Sequence, residues 1–196
     1  MPINQPSTNP ANAADRAPGI QRRGALAVLL GTTLGAALGE ALAADAQPTE
    51  ASVKAAFLYK FLAYVDWPAA ALPPLNSPLV IGVLGADALS TELQAITAGR
   101  QVHGRPVVTR RLAPADPLEG LHAVFVGRAA PAGVRERLRG RAILVVAEDG
   151  LEPGVMLNFV PVAGRVRFEA SPVAAERVGL KLGARLLAVA ERVAVQ

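Results

Sequence analysis

Cysteine is absent from this chain of 196 residues. Disulfides, thiolate catalysis, thiolate metal sites and internal thiol switching are therefore all excluded. Histidine is scarce. His103 precedes Gly104 in a predicted turn and His122 opens a predicted strand, and neither has neighbours at metal-ligand spacing. Lysine is nearly missing too, since arginine supplies 17 of the 20 basic residues. With alanine abundant and a net charge of only +4, that bias reads as genome composition and not as a nucleic-acid surface. The densest basic run, Arg135 to Arg141, reads as a solvated helix end. A patch for anionic headgroups or an acidic partner is the alternative.

Catalytic patterns are equally sparse. Ser52, Ser77, Ser90 and Ser171 lack the flanking glycines of a nucleophile elbow. Gly82 and Gly85 lie where a strand enters a helix, but they form only a fragment of a phosphate-binding loop, with no Walker lysine. Glu148-Asp149 precedes Gly150 and reads as a solvated turn. No enzyme, cofactor or metal is expected.

The amino-terminal segment has the layout of an export signal. Arg22-Arg23 precede an uncharged stretch, Gly24 to Leu38, and small residues follow around Ala43. That stretch is shorter than the roughly 20 residues a membrane-spanning helix needs. Cleavage after Ala43 is expected, by the general secretory or the twin-arginine route, leaving a linker over 44–51 and one domain over 52–196. An uncleaved anchor is the alternative. Export argues against a nucleic-acid ligand.

The remainder alternates between two periods. Leu79 to Leu84, His122 to Val126 and Ile143 to Ala147 are apolar runs of the kind buried on both sheet faces. Residues 87–98, with Asp87 as N-cap, and Pro131 to Arg139 read as helices, and Arg105 to Leu112 as a more exposed strand. Val155 to Val160 and Arg165 to Glu169, joined by Ala163-Gly164, read as a β-hairpin. Ser171-Pro172 then opens a closing helix carrying Val173, Val178, Leu180, Leu182, Leu186, Leu187 and Val189. The expected fold is α/β: a mostly parallel sheet covered by helices on both faces, with a C-terminal β-hairpin and closing helix.

Two segments carry more than pattern. Residues 52–68, SVKAAFLYKFLAYVDWP, read as an amphipathic helix that Pro68 ends, with Phe57, Phe61 and Tyr64 on its apolar face beside Leu58, Leu62 and Val65. The segment resembles the "VKAAFLYNFAKFVEWP" opening of the YfiR family of bacterial periplasmic proteins. Leu157-Asn158-Phe159-Val160, Gly164 to Glu169 and Gly179 to Leu187 resemble that family's "INFV", "GRVRFE" and "GLK-ISSRLL" segments. Ser171 stands where the family usually has Asn, and both residues cap a helix. Some relatives carry cysteine pairs, a lever this chain lacks.

The resemblance implies an exported, non-enzymatic regulator. Its family binds and inhibits the periplasmic part of a membrane diguanylate cyclase, and an OmpA-like outer-membrane lipoprotein sequesters it. Homodimerisation stays open. Candidate contact residues are Tyr64, Trp67, Asn158, Arg167, Glu169 and Ser171, each with a structural alternative. Tyr64 and Trp67 read as core or as a partner-facing hot spot. Arg167 and Glu169 share a strand face and can pair with each other or across the hairpin. A buried Asn158 needs hydrogen-bond partners. The competing function is a periplasmic small-molecule sensor feeding a histidine kinase or transporter, with an enzyme of unfamiliar site more remote.

Overall fold

The computed structural model describes residues 47–72, 74 and 76–194. The predicted export signal lies outside them. No helix among the described residues is long and apolar enough to cross a membrane.

Helix α1 runs from Glu50 to Phe61. Thr49 caps it, Oγ1 accepting the Ser52 N–H at 3.1 Å while Ser52 Oγ donates to the Thr49 carbonyl. The helix ends earlier than the proline predicts. A 3-10 turn over Leu62–Tyr64 follows, and strand β1, Val65–Asp66, then pairs antiparallel with β9, Lys181–Leu182. Tertiary pairing wins over the helical period here, and it leaves Tyr64 42% exposed instead of on the apolar face.

The main sheet is built from β2 (Leu79–Leu84), β3 (Gln101–Val102), β4 (Arg105–Leu112), β5 (Ala123–Val126), β6 (Leu144–Ala147), β7 (Leu157–Val162), β8 (Arg165–Ala170) and β10 (Arg192–Val193). Its order is β10-β8-β7-β6-β5-β2-β4-β3. The strands β4-β2-β5-β6-β7 are mutually parallel, a doubly wound arrangement whose strand order reverses between β2 and β5. The β7–β8 hairpin and the short β3–β4 hairpin add antiparallel pairs.

Both faces of the centre are buried, which explains the unbroken apolar runs. In β5, Ala123 and Phe125 join the core cluster that contains α1 and α2 (Asp87–Thr97). Val124 and Val126 join the cluster under α3 (Gly133–Leu138). β6 divides likewise, with Leu144 and Val146 on the first side and Val145 and Ala147 on the second. The N-cap of α2 is Ala86, not Asp87. Asp87 is the first helical residue and its carboxylate pairs with Arg111.

The closing helix is the larger departure. Instead of one helix there are α4 (Pro172–Glu176), β9, α5 (Ala184–Leu187) and β10. Gly179, at φ +80°, ends α4 with the Gly179 N–H on the Glu176 carbonyl and the Leu180 N–H on the Ala175 carbonyl, both at 3.0 Å. This is a Schellman stop, and the two residues at its apolar positions, Ala175 and Leu180, are fully buried. The apolar residues at 178, 180 and 182 fall at two-residue steps instead of helical ones, and Gly179 and Gly183 redirect the chain.

The hairpin turn Ala163-Gly164 has φ of +47° and +73°, and Val162 faces Arg165 across it. Positive φ at both central residues is the type I′ geometry that suits strand twist, and alanine is the poorer fit of the two. Ala163→Asn is expected to raise stability by about 0.5–1 kcal/mol, read as a higher urea midpoint with unchanged m-value.

Candidate functional site

The two end segments meet in the core. Phe57 and Phe61 of α1 pack on Phe159 and Phe168 of the hairpin. The Phe61 and Phe168 ring centroids lie 4.9 Å apart edge-on, and Phe61 stacks on Phe159 at 5.8 Å. Phe57 reaches Phe168 at 5.7 Å. Such pairs add about 0.5–1.5 kcal/mol each beyond the area they bury.

Beside this cluster runs a polar chain along the carboxyl-terminal rim of the sheet. Lys54 lies on the buried stripe of α1, one turn before Leu58. Its Nζ donates to Glu148 Oε2 at 2.5 Å and also pairs with Glu50, while sitting 5.9 Å from the centre of the Phe159 ring. The Lys54 and Glu148 side chains are only 9% and 14% exposed. Burial opposes the Lys54 charge, but the hydrogen bonds from Glu148 and Glu50 outweigh it and raise the lysine above its ordinary range. The Lys54 ammonium in turn lowers the Glu50 carboxyl. Glu148 Oε1 also accepts the Arg128 N–H. Glu148 is therefore not solvated as its turn suggests, whereas Asp149 is exposed and pairs with Arg135, which also holds Glu152 at 2.5 Å.

One residue further on, the Gly150 N–H donates to Asn158 Oδ1 at 2.8 Å. Asn158 Nδ2 donates to Glu169 Oε2 at 3.1 Å, straight across the hairpin, and Arg192 Nε donates to Glu169 Oε1 at 2.7 Å from the opposite strand. Asn158, Glu169 and Arg192 thus form one row over three strands. Arg167 does not pair with Glu169; its Nε lies 3.8 Å from Glu191. Ser171 is buried and its Oγ accepts the Ala174 N–H, capping α4 as expected.

Trp67 stands elsewhere, in the core at the amino-terminal rim. Its Nε1–H donates to the His122 carbonyl at 3.1 Å. His122 Nδ1 accepts the Val80 N–H, which places the proton of the neutral ring on Nε2. Of the six sequence candidates, the structure brings Asn158 and Glu169 together, puts Ser171 and Trp67 in structural roles, and leaves Tyr64 and Arg167 exposed at separate places. The sequence reading missed Lys54 and Glu148. A lysine in register with Leu58 and Phe61 was the available signal for the first, and an acid ending a buried strand for the second.

At the reversal of strand order between β2 and β5, doubly wound sheets usually hold their ligands. Here the loops touch: a Cβ on Gly127 would lie 2.5 Å from the Gly85 carbonyl oxygen. A cavity of about 340 Å³ lies beside that contact, lined by Lys54, Glu50, Glu148 and the start of α2. Its lysine is already held by two carboxylates. No group of histidine and acidic side chains suited to a metal ion occurs among the described residues.

A fold that packs these two end segments together over a doubly wound sheet defines a class by its combination of elements. The chain belongs to the YfiR/HmsC-like family, whose sequence model matches residues 51–191. No curated protein matches the chain.

Two measurements test the rim. Lys54→Met is expected to cost about 3 kcal/mol by leaving Glu148 buried without its cation, and adding Glu148→Gln should recover much of that loss in denaturant titrations. At the opposite rim, burial and then the Arg105 charge lower the His122 pKa below 6.5, and Arg141 and Glu119 line the adjoining hollow. The unfolded chain then takes up the proton first, so stability is complete above about pH 6.5 and declines as pH falls through the window below it. His122→Gln should flatten that pH slope in denaturation curves.

Proposed function

We propose that this protein is an exported, non-enzymatic regulator that binds the periplasmic part of a membrane diguanylate cyclase and holds it inactive, lowering cyclic di-GMP and biofilm formation. The observation that carries this reading is membership of the YfiR/HmsC-like family over nearly the whole described domain. Binding inhibits only if it favours the cyclase's inactive state, since a ligand shifts an equilibrium by its differential affinity. Tyr64 and Arg167 are the candidates for direct contact, because their side chains are exposed. Asn158, Glu169 and Ser171 would act indirectly, by holding the hairpin and the start of α4, and Trp67 by holding the amino-terminal rim. An OmpA-like outer-membrane lipoprotein that sequesters the protein, and self-association as a homodimer, belong to the same proposal.

A second reading, a small-molecule sensor domain coupled to a histidine kinase or transporter, draws support from an arginine-lined cavity taken up below.

The test is intracellular cyclic di-GMP in a strain lacking the gene. A rise on deletion is expected, reversed by expression of residues 1–196 but not by the leaderless 44–196. No change while the gene is normally expressed would overturn the cyclase reading.

A further inference from the structure

The basic run Arg135 to Arg141 is largely the solvated helix end that its composition suggests, with Arg137, Arg139 and Arg141 exposed, but its arginines differ in what holds them. Arg135 is tied to Asp149 and Glu152, and Arg137 donates to the carbonyls of Pro114 and Asp116. Arg139 and Arg141 pair with exposed acids, Glu136 and Glu119, each at 3.1 Å, and Arg141 Nε also donates to the Arg137 carbonyl. Exposed pairs of this kind are worth at most about 1 kcal/mol and exchange readily for another anion.

These two arginines line a cavity of about 260 Å³ between the end of α3, the Pro153-Gly154 turn and α4. Arg177, from α4, lines its other side. The remaining lining includes Leu138, Met156, Ala174 and Val178, and no acidic residue takes part. The contrast with two larger hollows decides the matter. In the 560 Å³ hollow beneath His122, Arg141 faces Glu119, and in the 340 Å³ cavity Lys54 is held by Glu50 and Glu148. In both, an acidic partner stands in the wall beside the cation. The α3–α4 cavity is lined by Arg139, Arg141 and Arg177 and has no acidic residue in its wall; the acids that pair with Arg139 and Arg141, Glu136 and Glu119, lie outside it.

We propose that this cavity is a binding site for a small organic anion with an apolar body, of the class of an aromatic carboxylate. Guanidinium groups match a carboxylate in a two-pronged geometry, and a ring or short chain would cover Leu138, Met156, Ala174 and Val178. The volume suits a ligand of about ten non-hydrogen atoms, below the usual range for drug-sized molecules. Joining α3 to α4, such a ligand would tie a helix on one side of the sheet to the segment that follows the hairpin. The proposal does not rest on the cyclase reading and survives its failure.

The experiment is a titration of the isotopically labelled chain with benzoate, followed by amide NMR. Benzamide serves as the neutral shape control and inorganic phosphate as the charge control. Saturable shifts at Gly140, Gly154, Ala174 and Arg177 are expected with benzoate, weakened by added salt and far smaller with benzamide. Arg177→Ala should weaken binding about tenfold or more, with Arg177→Lys between the two. Arg165→Ala, on the hairpin, is the control that leaves binding unchanged. Absence of saturable shifts, equal binding of phosphate and benzoate, or full binding by both Arg177→Ala and Arg139→Ala would overturn it.

Discussion

The contact on which the rest of this structure depends is the packing of α1 against the terminal hairpin through Phe57, Phe61, Phe159 and Phe168. It joins segments roughly a hundred residues apart, and no covalent cross-link shares that task because the chain has no cysteine. Closing so long a loop costs entropy that only well-packed, water-excluding groups can offset. Four rings in mutual contact are suited to it: each buries a large apolar area, and the tilted and edge-on arrangements add favourable electrostatics. One covering layer and the extension of the sheet follow from this docking. α1 covers one sheet face, and the hairpin it grips extends the parallel strands beyond β6.

The same docking organises the polar rim. Once α1 is seated, Lys54 must enter the core boundary, where an unpaired ammonium would be costly. Glu148 meets it there. The loop that carries Glu148 then delivers Asp149 to Arg135 and the Gly150 N–H to Asn158. Hydrophobic closure thus comes first in the causal order, and the polar network is the set of groups that closure forces to find partners. Rings tie α1 to the hairpin, and charges tie it to the loop after β6.

Much of this was legible in the residues. The apolar runs at 79–84, 123–126 and 144–147 show sheet strands buried on both faces because their alternate side chains feed two separate clusters. The hairpin was legible for the opposite reason, since Val166 and Phe168 alternate with charged neighbours and Ala163-Gly164 can take positive φ. The closing helix failed because apolar content was read without its period: Val178, Leu180 and Leu182 fall at two-residue steps, and Gly179 supplies the helix stop. The site was less legible than the fold. Asn158 and Ser171 announced themselves as polar residues in apolar or capping positions. Lys54 and Glu148 are 94 residues apart, and nothing local in either segment names the other. Arg167 and Glu169 share a strand face without pairing with each other: Glu169 bonds Asn158 across the hairpin and Arg192 on β10, while Arg167 lies beside Glu191, which leads into β10.

The backbone contact between Gly85 and Gly127 has a bearing on how this protein can be met by another. In doubly wound sheets the gap at the reversal of strand order is commonly left open, and its loops adjust around whatever enters. Here main chain lies against main chain, so the loops after β2 and β5 behave as a single stiff ridge whose shape does not depend on side-chain rotamers. A macromolecule settling on that ridge would find it already in its final form and would forfeit little motion in the encounter, which favours association without any rearrangement of this rim.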